Sequence, residues 1–283
     1  MKMQSFLPRR ILLTALVVIA ASFIAASFVS ASLVFATEYV TIPAGNITSV
    51  LANDAAPEAT PIASFALRAT PVTNGEFLNF VKAHPAWQRG RAPATFVDAR
   101  YLNHWLSPTE LGDSAREHQP VTSASWFAAQ AFCEGEGARL PTWTEWEYVA
   151  AADETNTDAR RDPAWRARIL SWYSRSSATP IESVGGARNA YGVRNIHGLI
   201  WEWVDDFNAL LVSADSRTQG DPDKIQFCGA GAISLKSRDN YAVLMRIALL
   251  SSLNAADTTN NLGFRCARKL TPATAPPTSK KEK

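Results

Sequence analysis

The main part of the chain opens with an alternation of apolar and polar residues that predicts a β-strand. This alternation covers residues 38–46, EYVTIPAGN. A first helix is predicted further along, because Thr73 and Glu76 have the spacing of a capping box, in which each side chain accepts the other's backbone N–H. The apolar face of this helix follows helical spacing and consists of Phe77, Phe80 and Val81.

Two further helices are predicted in the middle of the chain. The first follows Ser123, which we expect to be its N-cap, and its apolar face includes Trp126 and Cys133. The second begins with a capping box formed by Thr142 and Glu145. Arg139 lies just before this helix, and with a glutamate it is predicted to form a partly buried structural ion pair rather than a catalytic pair.

The remaining chain lacks a regular period. Residues 154–168 are charged and predict an exposed loop or a short helix, and the chain beyond Tyr173 is rich in Gly, Asn and Ser. With 283 residues, 47% of them hydrophobic and 10% aromatic, the chain can form one sizeable core. We therefore predict a single α+β domain with much irregular structure over residues 37–270, followed by a disordered tail at residues 271–283.

The N-terminus has the pattern of an export signal. Arg9 and Arg10 precede an uncharged apolar stretch at residues 11–35, and Val34 and Ala36 fit the positions that precede a cleavage site after Ala36. Residues 1–36 are predicted to be a signal peptide or, because the stretch is long, an N-terminal membrane anchor. The two arginines leave the twin-arginine route open beside the general one. In each case we expect a periplasmic domain.

Net charge and cysteine content narrow the possible function classes. The formal net charge is +2, but basic residues at the two ends supply the excess and leave the middle mildly acidic. A mildly acidic domain has no electrostatic footprint for nucleic acid, so we expect no nucleic-acid partner. The chain has 3 cysteines, and an odd number leaves at least one outside any intramolecular bridge.

Four sequence blocks occur in a fixed order along residues 71–268. They are PVTNGEFLNFV, then QPVTSASWFAAQAFC with GARLPTWTEWEYVA, then NAYGVRNIHGLIWEWVDDF, and finally NLGFRCAR. Together they resemble the formylglycine-generating (sulfatase-modifying) enzyme family. The resemblance implies a fold similar to a C-type lectin and a disulfide between Cys133 and Cys266. Cys228 is then left as an unreactive buried thiol or, alternatively, as a reactive or metal-binding one.

The resemblance also locates the cysteine pair with which this family binds copper and oxidises a sulfatase cysteine. The two positions fall on Ser237 and Ala242 in this chain. Cu(I) prefers thiolate ligands, a hydroxyl group is a poor substitute, and a methyl group binds no metal. We therefore do not expect copper, or the family's usual reaction.

A calcium site is a further implication of the resemblance. One calcium site of the family uses an Asn side chain, two backbone carbonyls and a Glu, and these positions fall on Asn195, Gly198, Ile200 and Glu202. Calcium prefers oxygen ligands of this kind. We expect a structural calcium ion here. The alternative is that Asn195 and Glu202 close hydrogen bonds within an irregular loop.

Polar residues surround the lost cysteine pair, in a stretch that borders the substrate groove of the family. The candidate catalytic residues are Ser237, Asp239, Tyr241 and Arg246. An arginine with a tyrosine and a carboxylate can bind an anionic ligand and move protons. Arg246 is the strongest candidate, because the family places an arginine there. The alternative is a solvated loop with one structural ion pair.

The chain most resembles an exported branch of the family without the copper cysteines, which includes PvdO-like proteins of pyoverdine maturation and NirV-like proteins of nitrite reductase systems. This implies an accessory enzyme in the periplasmic oxidative maturation of a secreted product, such as a siderophore, or of a redox protein. The expected partner is a small-molecule, peptide or protein precursor in the periplasm, with membrane contact only if the N-terminal segment stays uncleaved. Two alternatives are a non-catalytic ligand-binding module and a formylglycine-generating oxidase that acts on sulfatases through non-standard residues.

Overall fold

The computed structural model describes residues 37–49, 59–175, 179–209 and 241–270. The chain divides into two units after Ala36, and every described residue belongs to the second unit. The predicted export segment and the predicted disordered tail lie outside the described residues. Within them, no helix is both long enough and apolar enough to cross a bilayer.

Short strands and helices alternate with long irregular segments, which confirms the predicted α+β class. The helices are α1 (Asn74–Ala83), α2 (Trp126–Gly135), α3 (Trp143–Ala150), α4 (Pro163–Tyr173) and α5 (Tyr241–Ser251). The strands are β1 (Tyr39–Ile42), β2 (Gly45–Ile47), β3 (Thr60–Ile62), β4 (Phe65–Arg68), β5 (Trp201–Glu202), β6 (Leu262–Gly263) and β7 (Ala267–Lys269).

An antiparallel sheet of three strands, in the order β1-β4-β7, joins the beginning of the domain to its end. Ile42 lies opposite Phe65, and Leu67 lies opposite Ala267. All four residues of the central strand β4 are buried, as expected for a strand that is covered on both faces. A second pairing of distant segments is the parallel one between β5 and β6. These pairings bring residues 201–202 close to the C-terminal part of the domain.

The predicted strand at residues 38–46 is two strands in the structure. Strand β1 ends at Ile42 and β2 begins at Gly45, with Pro43 between them. Proline has no N–H to donate to a strand ladder, so the first pairing stops there and β2 pairs with β3 instead. The apolar alternation continues across Pro43 and hid this break.

Both predicted capping boxes are confirmed. The Thr73 hydroxyl accepts the Glu76 N–H and the Glu76 carboxylate accepts the Thr73 N–H, and Thr142 and Glu145 do the same for α3. The predicted structural ion pair is also confirmed, because Arg139 donates to both Glu145 oxygens, at 2.6 and 2.7 Å. An N-cap contributes about 1 kcal/mol to stability, so these local signals fix where α1 and α3 begin.

Helix α2 begins later than predicted. Its N-cap is Ser125, whose hydroxyl accepts the Ala128 N–H at 3.2 Å, and not Ser123. Ser123 instead has a left-handed backbone, with a φ of 52°, and its N–H donates to the Thr259 carbonyl at 2.9 Å. A contact with a distant segment therefore decides the start of the helix, and the local sequence does not contain that information.

A disulfide between Cys133 and Cys266 ties α2 to the segment before β7, which is the pairing that the family resemblance implies. Both cysteines are fully buried. They lie in an aromatic core in which the ring centroids of Phe132 and Phe264 are 5.5 Å apart. The bridge closes a loop of 133 residues, for which the chain-entropy model gives about 4–5 kcal/mol of stabilisation.

Candidate functional site

A fully buried ion pair joins Glu202 on β5 to Arg265, which lies between β6 and β7. Neither side chain has exposed surface. The Arg265 Nε donates to one carboxylate oxygen at 2.8 Å and Nη2 donates to the other at 2.7 Å. Trp146 on α3 donates its indole N–H to the same carboxylate at 2.9 Å. The Glu202 carboxylate is therefore satisfied within the protein.

The other donors of Arg265 connect the ion pair to the surrounding backbone. Its Nη1 donates to the Arg68 carbonyl at 3.2 Å, and its Nη2 donates to the Arg194 carbonyl at 3.0 Å. A buried charge is tolerated only when it is paired and its donors are satisfied, and Arg265 meets both conditions. The parallel pairing of β5 with β6 brings the two charged residues together, although they are far apart in the sequence.

Arg246 on α5 packs against this ion pair. Its guanidinium carbon lies 3.6 Å from the centroid of the Trp146 ring, and its Nη2 donates to the Glu202 backbone carbonyl. Burial lowers the pKa of Arg246 to about 10, while Glu202 opposes this shift, so the side chain is charged at neutral pH. Only 1% of Arg246 is exposed.

This burial keeps a ligand in the solvent from the Arg246 guanidinium in this structure, and a role of Arg246 in binding an anion stays a prediction. The other candidate catalytic residues also stay predictions. Ser237 and Asp239 lie outside the described residues. Tyr241 and Ala242 belong to the first turn of α5, and their side chains are likewise outside the description.

The predicted calcium ligands fit the ion poorly as they are arranged. Both Glu202 oxygens contact Arg265, and a calcium ion at this carboxylate would be repelled by that guanidinium. The Asn195 Oδ1 accepts the Gly185 N–H at 2.8 Å, as in the alternative of a hydrogen-bonded loop. Among the described residues, no group of three or more His, Cys, Asp or Glu could hold a metal. Calcium at Asn195, Gly198, Ile200 and Glu202 therefore stays untested, and the contacts of Asn195 and Glu202 favour the alternative of a hydrogen-bonded loop.

Helices α4 and α5 pack together, and aromatic residues cluster beside their contact. Trp172 and Tyr173 end α4, and Trp201 lies on β5. The ring centroids of these three residues are 4.6 to 5.5 Å apart. The three residues line a cavity of about 270 Å³, which we call the aromatic cleft, and Arg175 and Glu182 add polar groups to its wall. This volume suits one small ring or one side chain of a larger substrate.

Tyr173 connects the aromatic cleft to Arg246. Burial raises the pKa of Tyr173, and the nearby Arg246 only partly offsets this, so the phenol is protonated at neutral pH. Tyr173 was not among the predicted site residues, because the loop or short helix expected before it ended at residue 168, and α4 continues to Tyr173. Asp162 followed by Pro163 was the available signal, since Asp162 caps α4 and Pro163 occupies its first turn.

The chain is similar to known proteins over most of its length. The family model described as a sulfatase-modifying factor enzyme 1-like domain matches residues 27–270. The formylglycine-generating enzyme of Streptomyces coelicolor is 31% identical over 255 residues, covering 72% of this chain and 77% of that enzyme. The hercynine oxygenase of Mycolicibacterium smegmatis is 30% identical over 166 residues, covering 50% of this chain and 37% of the oxygenase. The structure of PvdO from Pseudomonas aeruginosa aligns with a TM-score of 0.42 and 18% identity, covering 82% of this chain and 94% of PvdO.

Proposed function

This chain belongs to the sulfatase-modifying factor family of formylglycine-generating enzymes, and on that premise we propose that it is an exported accessory enzyme of oxidative maturation. Its substrate is a small-molecule, peptide or protein precursor in the periplasm. The product is a secreted compound of the siderophore type, such as pyoverdine, or a redox protein of the nitrite reductase type. The name of the hercynine oxygenase relative supports an oxidative reaction, and the pattern of residues 1–36 supports export.

The observation that carries this proposal is the position of Tyr173. It lines the aromatic cleft and also lies close enough to Arg246 for each residue to shift the other's pKa. Arg246 is on α5, the helix whose first turn contains Ala242, one of the two positions of the family's copper cysteines. The cleft therefore connects to the part of the fold where relatives carry out their chemistry.

Three aromatic residues of the cleft, and Arg246 beside it, have roles in the proposal. Trp172 and Trp201 stack against an apolar or aromatic group of the precursor. Tyr173 is a protonated phenol and donates a hydrogen bond to a polar group of the bound precursor. Arg246 supports the position of these side chains through its contacts with the Trp146 ring and with the backbone carbonyl of Glu202, which follows Trp201. No step passes through copper, because Ser237 and Ala242 offer no thiolate.

The first experiment is deletion of the gene in the source organism, followed by mass spectrometry of its secreted small molecules and exported proteins. We expect a precursor to accumulate that differs from the mature product by an oxidation in which dioxygen is the oxidant. Either two hydrogens leave the precursor and reduce dioxygen to hydrogen peroxide, or one oxygen atom is added and the other leaves as water with two electrons from an external reductant. Re-expression of the wild-type chain restores the product, and re-expression of a Trp201→Ala variant does not. Identical mass profiles with and without the gene would end the proposal.

A non-catalytic ligand-binding module is the second candidate, and one observation favours it. Behind the aromatic cleft, the buried charges of Glu202 and Arg265 are paired with each other, and Arg246 is packed against Trp146. Binding without turnover distinguishes this module from an enzyme. For the module, a precursor binds the purified chain and is recovered unchanged.

Formylglycine formation through non-standard residues is the remaining alternative from the sequence. Co-expression of the chain with a sulfatase, followed by mass analysis of the sulfatase cysteine, tests it directly. Conversion of that cysteine to formylglycine would replace the maturation proposal. An unmodified cysteine would leave maturation and the binding module to be separated by the turnover experiment.

A further inference from the structure

A second cavity, of about 220 Å³, lies between α4 and residues 187–198. We call it the arginine cleft, and it is defined by Arg168, Arg175, Arg188, Trp165, Trp172 and His197. It shares Trp172, Arg175 and Gly198 with the aromatic cleft, but its floor is different. The proposed function uses neither its floor nor its charges.

The charges of the arginine cleft favour an anion. Its lining contains three arginines against two carboxylates, Asp153 and Glu154. Two of the arginines hold acidic partners, in the pairs Arg168–Glu154 and Arg188–Glu38. Arg175 forms no ion pair with a described residue, and its side chain is exposed. An arginine without an acidic partner at the wall of a cavity is suited to bind a carboxylate.

The floor of the arginine cleft combines an apolar surface with one unused hydrogen-bond acceptor. Trp165 is 8% exposed and packs edge-on against His197, with ring centroids 5.8 Å apart. The His197 Nε2 lies 2.9 Å from the Ala150 carbonyl, which only accepts, so Nε2 carries the ring hydrogen and Nδ1 is an acceptor. That Nδ1 is shielded from solvent and has no hydrogen-bond partner among the residues that the structure describes. A buried polar atom without a partner is costly, and a ligand that donates to it recovers this cost.

We propose that the arginine cleft binds a small aromatic carboxylate that carries a hydrogen-bond donor on its ring. The carboxylate pairs with Arg175, the ring lies against Trp165 and Trp172, and a small tilt of the His197 ring opens its shielded Nδ1 to the ring donor. The volume of about 220 Å³ suits a single substituted ring rather than a larger ligand. The proposal does not rest on the proposed function, but the two clefts share Trp172 and Arg175, so a ligand in one competes with a ligand in the other.

Titration calorimetry on the purified exported chain, residues 37–283, tests the proposal with three matched probes. They are 4-hydroxybenzoate; benzoate, which lacks the ring donor; and 4-hydroxybenzamide, which lacks the charge. We expect 4-hydroxybenzoate to bind with a dissociation constant on the order of 0.1–1 mM, as is typical for about ten non-hydrogen atoms. Loss of the hydroxyl or of the charge is expected to weaken binding about tenfold in each case.

Two variants assign these preferences to residues. Arg175→Gln is expected to remove the preference for 4-hydroxybenzoate over 4-hydroxybenzamide. Arg91→Gln makes the same change of charge at an exposed arginine outside the cleft, and the preference should survive it. Leu199→Ala changes the aromatic cleft alone and should leave the affinity for 4-hydroxybenzoate within about twofold of the wild-type value. The proposal is overturned if none of the three probes binds. It is also overturned if Arg91→Gln weakens the binding of 4-hydroxybenzoate as much as Arg175→Gln does, or if Leu199→Ala abolishes that binding and Arg175→Gln does not.

Discussion

Glu202 and Arg265 form a bidentate ion pair in which neither side chain has any exposed surface. The pair connects β5 to the segment before β7, and Trp146 and Arg246 complete the group around it. Charges this deeply buried stabilise a fold only while both are present, because either one alone would be an uncompensated charge away from water. The stability of the domain is therefore expected to depend strongly on this pair.

The Glu202→Gln substitution tests this dependence. We expect it to lower the free energy of unfolding by about 3–5 kcal/mol, because Arg265 stays buried without its counter-charge. Denaturant unfolding measures the change. The matched control is Glu154→Gln, which removes the partner of Arg168 from a pair whose side chains are 47% and 57% exposed, and it should cost less than about 1 kcal/mol. Equal losses in the two variants would contradict the account.

Calcium independence follows from the same contacts. Because Arg265 already neutralises Glu202, we expect the melting temperature to be the same within about 1 °C in calcium and in EDTA. Elemental analysis of the purified protein checks for bound metal at the same time. A stoichiometric calcium ion with a melting temperature several degrees higher would instead support the ligand set Asn195, Gly198, Ile200 and Glu202.

The Cys133–Cys266 bridge should supply a large part of the stability. Replacing both cysteines by serine is expected to lower the free energy of unfolding by up to about 4–5 kcal/mol, because the denatured chain regains the freedom of a 133-residue loop. Cys228→Ser is the matched control and should leave both the bridge and the stability unchanged. The prediction fails if the double variant unfolds at the same denaturant concentration as the wild type.

The Asp98 carboxyl makes the stability of the domain depend on pH in the acid range. Burial raises the pKa of its carboxyl, but hydrogen bonds from Thr258 and Arg100 outweigh this and hold the pKa below its ordinary value. The stabilisation is therefore complete at a pH above the unfolded pKa of about 3.9, and it is lost as the pH falls through the lower folded value.

Denaturant titrations from pH 7 to pH 3 measure this effect. Asp98→Asn is expected to cost about 1–2 kcal/mol at pH 7, because Thr258 donates to this carboxylate at 2.6 Å, and the difference from wild type should shrink below pH 4. Asp113→Asn, at an exposed aspartate, is the control. A difference between Asp98→Asn and wild type that stays constant over the whole range would contradict the assignment.

Local signals in the sequence predicted the parts of the fold that depend on local contacts. The capping boxes at Thr73 and Thr142 were correct because a cap is formed by residues within one turn. The start of α2 was wrong because Thr259, far away in the chain, holds Ser123 in a left-handed conformation. The break at Pro43 was visible as a proline but was hidden by the continuing alternation of apolar residues.

The candidate site also depends on contacts between distant segments, which local sequence signals do not predict. The third sequence block indicated Glu202, and the family resemblance indicated Arg246. Neither showed that Arg265 would neutralise Glu202 or that Trp146 would cover Arg246. The aromatic cleft depends on Tyr173 at the end of a helix that the charged sequence obscured. Burial and pairing of charges arise from tertiary contacts, which a single sequence does not state.

Turnover of the accumulated precursor by the purified chain tests the central claim most directly. The precursor isolated from the deletion strain is incubated in air, with and without ascorbate as a reductant, with the wild-type chain and, in parallel, with Trp201→Ala, and the masses of the products are compared. The account predicts that the wild type yields a product two hydrogens lighter or one oxygen heavier, and that Trp201→Ala yields it at least about tenfold more slowly. A precursor that binds to the wild-type chain and is recovered unchanged would contradict an enzymatic role.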